Sequence, residues 1–360
     1  MPALRVLSLF TVLLTTAVSV PYLSYHTSRI PVVGSKPEPS SNRISTDGSA
    51  AENSTASHTV THRVSVGGRC GPDAGHCGEG LCCSPAGYCG STTAHCYAPD
   101  CQLDYGSCDA NKTPEGRPTD DIPRPWIGSV PYGQGIYSCR APYTFAMTFD
   151  DGPNIYTSDL LDVLDNFTAK VTFFMTGINS GKGEIDDFTT PWGALIQRIH
   201  KSGHQIASHT WSHQDLSKIS PSQRRDQLLK NEAAIRNIIG GIPTYMRPPY
   251  SNCNVECMAD MADLGYHVTY FNIDTNDYNN DDPETIQKSK DIVDKALARG
   301  QETPGHPFLA IGHDIHAQTV YNLTAYILRR VNDAGYRAVT VGECLNDPRD
   351  NWYRWDYRSN

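Results

Sequence analysis

Short apolar runs alternate with amphipathic segments between residues 139 and 344. The runs have the length and composition of buried strands, and the segments between them are typical of helices. This alternation predicts an α/β domain with parallel strands, and about seven repeats predict a barrel smaller than the eight-stranded one. The predicted strands are Tyr143–Phe149, Val171–Thr176, Gln205–Ser208, Tyr245–Arg247, His267–Ile273, Phe308–Gly312 and Ala338–Val341. The predicted helices are Trp192–Lys201, Pro221–Ile239, Glu256–Leu264, Pro283–Ala298 and Thr319–Asn332.

A cysteine-rich segment precedes this domain. Residues 67–108 hold eight of the twelve cysteines. A segment this short cannot bury enough apolar surface to fold unaided, so disulfides are expected to replace a core. Spacing alone leaves the pairing open. The cysteines are Cys70, Cys77, Cys82, Cys83, Cys89, Cys96, Cys101 and Cys108.

The segments outside these two regions are predicted to be a signal peptide, two linkers and a tail. Residues 1–20 carry one charge, Arg5, then an apolar run and a small-residue site around Ala17, which predicts a secretory signal peptide. An uncleaved membrane anchor is the alternative, although the run is short for a spanning helix. Residues 21–66 are rich in Ser, Thr and Pro and predict a disordered linker. Residues 109–138 predict a second linker, 139–346 the barrel domain, and 347–360 a C-terminal tail.

Composition narrows the class of protein. The formal net charge is −9 without a basic cluster, which argues against a nucleic-acid partner. An even number of cysteines fits an exported protein whose thiols are all paired. We therefore expect a secreted monomer that has no membrane attachment after signal cleavage. Four N-x-S/T triplets predict exposed glycosylation sites at Asn53, Asn111, Asn166 and Asn322.

Polar clusters follow the predicted strands at the end where barrels carry their chemistry. Asp150 and Asp151 precede a Gly-Pro pair that breaks the first strand, so both carboxylates can face one site. His209 and His213 follow the third strand, and two imidazoles with a carboxylate fit a zinc site that keeps a position open for water.

Three further clusters lie beyond these. Arg247 can hold a carboxylate ionised, and Tyr250 follows two prolines and offers its backbone N–H to an oxyanion. Asp274 and His313 end the fifth and sixth strands. Each cluster alone also fits an ordinary turn, cap or loop. Because five clusters follow five successive strands, a purely structural explanation would require five coincidences.

Five motifs carry a family resemblance: TFDDGP at 148–153, HTWSH at 209–213, RPPY at 247–250, DTNDY at 274–278 and IGHD at 311–314. They resemble those of the polysaccharide deacetylases, which share the NodB-homology domain and form carbohydrate esterase family four. The resemblance implies a distorted (β/α)7-type barrel and metal-dependent removal of acetyl groups from a glycan. One departure is Tyr278, which stands where the family often has Trp.

The resemblance also implies a role for each site residue. Asp151, His209 and His213 would bind one divalent cation, expected to be zinc, with cobalt or nickel as alternatives. Asp150 would be the general base, oriented by Arg247, and the Tyr250 N–H would bind the oxyanion. His313 would be the general acid, with Asp274 holding its ring and raising its pKa. Two disulfides are implied in this domain, Cys139–Cys344 and Cys253–Cys257.

The run from Cys82 to Ser91, ending at Cys96, resembles the hevein-type chitin-binding module. Ser84 and Tyr88 match its sugar-contacting positions, whereas Ala86 and His95 stand where it has aromatic residues, so a purely structural knot is the alternative. The implied pairs are Cys70–Cys83, Cys77–Cys89, Cys82–Cys96 and Cys101–Cys108.

Together the two resemblances imply a chitin deacetylase acting on chitin and chitooligosaccharides. A deacetylase of peptidoglycan or acetylated xylan is one alternative. A catalytically silent chitin-binding protein is the other.

Overall fold

The structure, a computed structural model, describes residues 63–64 and 66–357. The predicted signal peptide, nearly all of the predicted linker 21–66 and the glycosylation triplet at Asn53 lie outside the described residues. Within the described part of the chain, no helix combines the length and apolar composition needed to cross a bilayer. Of the glycosylation triplets, Asn111, Asn166 and Asn322 are all exposed.

A parallel sheet of nine strands forms the centre of the described residues, in the order β7–β8–β2–β3–β4–β5–β6–β1, with β9 also paired to β2. β6 and β7 follow each other in the chain yet lie near opposite ends of this order, so the sheet curls into a distorted barrel. The predicted α/β barrel is confirmed. The strands are β1 (Gly135–Ile136), β2 (Thr144–Asp150), β3 (Thr172–Met175), β4 (Gln205–Ser208), β5 (Tyr245–Met246), β6 (His267–Thr269), β7 (Ile273–Asp274), β8 (Phe308–His313) and β9 (Arg337–Val339).

Most strand ends differ from the prediction by one or two residues, and two differences within the central sheet are larger. The predicted strand His267–Ile273 is two strands, because the chain leaves the β5 ladder after Val268 and the β1 ladder after Thr269, and joins β8 from Ile273. β1 was not predicted, since two residues are too few to show a period. Every residue of β2 is buried, as expected for a central parallel strand covered on both faces.

Helices connect the strands. α3 (Pro221–Ile239) is preceded by Ser220, whose hydroxyl accepts from the Gln223 N–H, and is followed by Gly240 in the left-handed conformation. Tight turns at Asp109–Asn111, Pro249–Ser251, Asp277–Asn279 and Arg349–Asn351, and a π-helical turn at Thr319–Leu323, complete the helical elements. The helices are α1 (Thr157–Asn166), α2 (Trp192–Lys201), α3 (Pro221–Ile239), α4 (Val255–Asp263), α5 (Gln287–Glu302), α6 (Thr324–Asp333) and α7 (Val341–Cys344).

Residues 109–138 are not a free linker, contrary to the sequence-based prediction. They contribute β1 to the sheet, and their Arg124 forms a buried ion pair with Glu232 of α3. The two guanidinium nitrogens Nη1 and Nη2 of Arg124 donate to the two carboxylate oxygens of Glu232 at 2.8 and 2.7 Å. The hydroxyls of Thr119 and Tyr266 donate to the same carboxylate at 2.6 and 2.7 Å. This network fastens the segment to the barrel.

Replacing Arg124 should destabilise the fold strongly. Arg124→Ala leaves the Glu232 carboxylate buried without its cation, which typically costs about 3–5 kcal/mol. Denaturant unfolding measures the change in free energy. Arg140→Ala removes an exposed arginine just after this segment, and it should lower the free energy of unfolding much less. An equal loss in the two variants would contradict the role assigned to the pair.

Residues 347–357, the described part of the predicted C-terminal tail, are not a free tail either. Residues Tyr353–Trp355 form a strand that pairs antiparallel with Gly241–Pro243. Trp352 is 2% exposed, and the Tyr245 hydroxyl donates to the Asp347 carboxylate at 2.7 Å. The barrel domain therefore continues beyond residue 346, because its last residues cover the outside of the barrel.

The cysteine-rich module is small and held by disulfides. Its strands Cys82–Cys83 and Cys89–Gly90 pair antiparallel, His76–Cys77 pairs with Arg63–Val64, and a single helical turn spans Thr93–Cys96. The disulfides in the described residues are those that the resemblances imply: Cys70–Cys83, Cys77–Cys89, Cys82–Cys96, Cys101–Cys108, Cys139–Cys344 and Cys253–Cys257.

Candidate active site

The turn after β2 points two carboxylates toward one place. Asp150 ends the strand, and Asp151 adopts a left-handed backbone with φ of 75°. Gly152 must be glycine, because a Cβ there would lie 2.3 Å from an Asp314 carboxylate oxygen. The left-handed turn lets two adjacent carboxylates share a site that a continued strand would have placed on opposite faces.

His209 and His213 lie beside these carboxylates, on the loop after β4. Asp151 Oδ1 is 3.5 Å from His209 Nε2 and 3.2 Å from His213 Nε2. His209 Nδ1 is 2.7 Å from the Arg247 carbonyl oxygen. Because that oxygen can only accept, Nδ1 carries the hydrogen and the Nε2 lone pair faces Asp151.

The donor set fits a divalent cation. One ligand atom from each of Asp151, His209 and His213 lies within 4.8 Å of the others. Asp151 Oδ1 is buried and has no hydrogen-bond donor among the described residues. Burial lowers the pKa of His213 to about 4, which keeps its imidazole neutral. Burial alone would raise the pKa of Asp151, but His213 and His209 bring it to about 2, so the carboxylate is ionised. A carboxylate and two neutral imidazoles are the ligands of many three-residue zinc sites.

Asp150 lies beside this triad and is hydrogen-bonded to Arg247. Arg247 is fully buried, and its Nη1 donates to Asp150 Oδ1 and to the Thr148 hydroxyl, both at 2.7 Å. Its other nitrogens donate to the carbonyls of Thr269 and Tyr270. The second Asp150 oxygen, Oδ2, lies 3.7 Å from His209 Nε2. The carboxylate is therefore fixed beside the cation-binding residues with one oxygen free of the arginine.

His313, at the end of β8, is paired with Asp277 and not with Asp274, which corrects the sequence-based assignment. Its Nδ1 donates to Asp277 Oδ1 at 2.8 Å, and its backbone N–H donates to Asp277 Oδ2 at 2.7 Å. Asp274 accepts instead from the Tyr278 hydroxyl at 3.1 Å and from the Asn276 N–H. Asn276 is left-handed, with φ of 53°, and this turn brings the later carboxylate under the imidazole.

The pKa of His313 follows from this pairing. Burial lowers it, but the charge and hydrogen bond of Asp277 outweigh burial and raise the pKa to about 10. The Asp277 carboxylate is itself buried, which would raise its pKa, yet the interaction with His313 keeps that pKa below its usual value. The pair is thus an imidazolium beside a carboxylate, with a proton available at neutral pH.

Comparison with known proteins places this geometry in a family. Residues 138–269 match the family model described as polysaccharide deacetylase. A chitin deacetylase of Pestalotiopsis sp is 43% identical over 226 residues, or 63% of this chain and 72% of that protein. A chitin deacetylase of Colletotrichum lindemuthianum is 40% identical over 225 residues, or 62% of this chain and 88% of that protein.

The chain belongs to the polysaccharide deacetylase family. The solved structure of the chitin deacetylase from the fungal pathogen Colletotrichum lindemuthianum matches with a TM-score of 0.60 at 38% identity. The match covers 64% of this chain and 100% of that one.

The deacetylase cleft has a volume of about 540 Å³, and the predicted catalytic and cation-binding residues other than Arg247 line it. Tyr250 and Tyr278 form exposed rims, with ring edges near His213 and His313 at centroid distances of 4.6 and 5.4 Å. Sequence reasoning missed Asp277, Phe271 and His316 as contributors to the site. The lining residues are Asp150, Asp151, His209, His213, Pro248, Tyr250, Ser251, Phe271, Asp274, Tyr278, Ile311, His313 and His316.

Proposed function

We propose that this polysaccharide deacetylase hydrolyses the N-acetyl groups of chitin and chitooligosaccharides, giving glucosamine units and acetate. One observation carries the proposal: a single cleft holds a triad suited to a cation, an arginine-held carboxylate and a carboxylate-held imidazolium. The chitin deacetylases that the chain resembles support chitin as the substrate. Six disulfides in the described residues support a secreted protein, because disulfides persist outside the cytosol.

Asp151, His209 and His213 would bind one divalent cation, which we expect to be zinc. Bound there, such a cation polarises an acetyl carbonyl and lowers the pKa of water. The neutral imidazole of His213 and the ionised Asp151 suit that task without either of these two ligands having to lose a proton.

The chain's own groups move the protons. Asp150, oriented by the hydrogen bond from Arg247, accepts a proton from the water whose oxygen bonds to the acetyl carbon. The Tyr250 backbone N–H is assigned to the oxyanion that forms on the carbonyl oxygen. When the C–N bond breaks, the imidazolium of His313 gives its proton to the departing amine. The products are a glucosamine unit and acetate.

Mass spectrometry of defined chitin oligomers tests this proposal. Zinc-loaded protein should convert N-acetylglucosamine units to glucosamine units, and a chelator should abolish the conversion until zinc is added back. Conversion that is insensitive to the chelator would refute the cation-dependent mechanism. No conversion under any condition would favour the silent chitin-binding protein. A panel with acetylated xylan and peptidoglycan separates the remaining enzyme alternatives, since faster turnover of either would displace chitin as the substrate.

We further propose that the cysteine-rich module is a hevein-type chitin-binding module. Tyr88 is 42% exposed, with the Arg69 guanidinium 4.9 Å from its ring centre. The Ser84 hydroxyl accepts from the Tyr88 N–H at 3.1 Å, and the His95 ring lies against Gly90. Ser84, Tyr88 and His95 would contact N-acetylglucosamine through a hydroxyl and ring faces, the chemistry that suits a neutral sugar.

Removing the Tyr88 ring should weaken retention on chitin. In the full chain, treated with chelator so that the polymer is not modified, Tyr88→Ala should lower the fraction bound to chitin beads about two- to tenfold. Tyr357→Ala removes an 85% exposed tyrosine outside the module and is the matched control. Equal retention of Tyr88→Ala and wild type would mean that this ring does not bind chitin, and would favour the structural knot.

A further inference from the structure

The cysteine-rich module contacts two loops of the barrel through one short stretch, residues 97–99, here called the docking segment. The Ser180 N–H donates to the Ala98 carbonyl at 3.0 Å. The Gln214 side-chain Nε2 donates to the Pro99 carbonyl at 2.9 Å. The Tyr97 ring lies directly on Gly181, where a Cβ would come within 2.1 Å of Tyr97 Cε2. The segment thus bridges the loop after β3 and the loop after β4.

Both of these loops lead directly to the cation-binding triad. Gln214 follows His213 in the chain, and Lys182 follows Gly181. The Lys182 ammonium donates to the carbonyls of Asp151 and Gly152 at 3.0 and 2.8 Å. Its third bond goes to the Thr176 hydroxyl at 2.7 Å. All three donors of the ammonium are therefore engaged at the turn that presents Asp151.

Lys182 is itself held in place. The Trp192 indole donates to the Lys182 carbonyl at 2.9 Å, and the Tyr97 ring covers the glycine that precedes it. A left-handed backbone at a residue other than glycine costs energy and persists only where its surroundings fix it. Around Asp151, the backbone carbonyls are held by the ammonium of Lys182 and by Thr176. The Thr176 hydroxyl donates to the Asp151 carbonyl at 2.8 Å, and the Thr176 N–H donates to the Gly152 carbonyl at 3.2 Å.

We propose that Lys182 is a positioning residue for the cation site and that the docking segment keeps Lys182 and His213 in place. The cysteine-rich module is then part of the support of the active site, whether or not it also binds sugar. This inference rests on the proposed function, because it concerns the cation held by Asp151, His209 and His213. Residues that orient metal ligands typically contribute 10- to 100-fold to metal affinity.

Calorimetric titration with zinc tests the role of Lys182 independently of activity. Lys182→Met should weaken zinc binding about 10- to 100-fold. Lys170→Met is the matched control, because its ammonium donates to the Ser202 carbonyl, remote from the cation-binding residues, and it should bind zinc as wild type does. Unchanged binding by Lys182→Met would overturn the proposal, because it would show that the ammonium does not support the site. Tighter binding would also overturn it, because it would show that the ammonium does no more than repel the cation.

The docking segment is tested by Tyr97→Ala and Gln214→Ala. Each should weaken zinc binding about tenfold. Asp104→Ala removes a 2.7 Å hydrogen bond from Gln223, elsewhere between the same module and α3, and should leave zinc affinity unchanged. If all three variants bind zinc as wild type does, the module does not support the site. If all three weaken it equally, the effect is general loss of docking and the proposed role of residues 97–99 fails.

Two further measurements distinguish failure of the proposed function from failure of the positioning role. His213→Ala gives the baseline for zinc bound elsewhere on the chain. If wild type binds no more zinc than this variant, the proposed function fails, whereas normal binding by both wild type and Lys182→Met defeats the positioning role alone. Thermal unfolding without zinc checks the fold of each variant. Should Lys182→Met fail to fold, Tyr97→Ala, which removes the ring that covers the glycine before Lys182, decides the question.

Discussion

Asp150→Asn is expected to lower kcat for acetate release at least about 10²-fold while leaving zinc affinity unchanged. The amide cannot accept a proton from water, whereas the shape of the side chain is preserved. Asp150 lies outside the cation-binding triad, with one oxygen on Arg247 and the other 3.7 Å from His209 Nε2. The loss therefore reflects proton transfer and not the loss of a ligand.

Acetate release and zinc titration on the same preparation check this prediction. Asp162→Asn changes an exposed aspartate on α1 that pairs with Arg198, and should behave as wild type. Turnover near the wild-type rate in Asp150→Asn would remove this residue as the general base. A loss of zinc would instead make Asp150 a ligand.

Asp277→Asn is expected to lower kcat about 10²-fold at neutral pH and to move the alkaline limb of the pH profile to lower pH. His313 must be protonated to act as an acid, so activity falls as pH rises through its pKa. Asp277 raises that pKa, through its charge and hydrogen bond, to about 10 against the opposing effect of burial. Without the carboxylate charge the pKa falls, and less of the imidazole carries a proton at neutral pH.

Asp274→Asn separates the two carboxylates of the DTNDY motif. Asp274 accepts from Tyr278 and Asn276 and has no hydrogen bond to His313, so its variant should keep the alkaline limb near the wild-type position. The measurement is kcat against pH for the three proteins. A shift in Asp274→Asn without one in Asp277→Asn would restore the assignment that the sequence motif implied.

The sequence predicts the barrel well where strands are long. The strand ending at Asp150 is buried at every residue and largely apolar, as central parallel strands covered on both faces are, and this leaves a pattern that can be recognised. β1 leaves no such pattern, since it has two residues. Residues 109–138 are predicted to be a linker because of their prolines. In the structure Thr119 and Arg124 donate hydrogen bonds to Glu232, which is 113 and 108 residues away in the sequence. Contacts of that range are not visible in local composition.

The active site likewise contains residues that the sequence predicts and residues whose role only the folded structure shows. The strand-end rule brings forward Asp150, Asp151, His209 and His213, because parallel strands end at one edge of the barrel. The choice between Asp274 and Asp277 depends on the left-handed Asn276 between them, a backbone feature that the sequence does not specify. Lys182 is a lone lysine between two glycines, and only the folded loop shows that its ammonium lies beneath Asp151.

The central claim is that Asp151, His209 and His213 bind one divalent cation beside Asp150. An anomalous difference map at the zinc absorption edge, from crystals grown with zinc, tests it most directly. We predict a strong peak at about 2.0–2.2 Å from one Asp151 oxygen and from Nε2 of both imidazoles. A map with no peak between these three side chains, or with zinc bound only at other residues, would contradict the account.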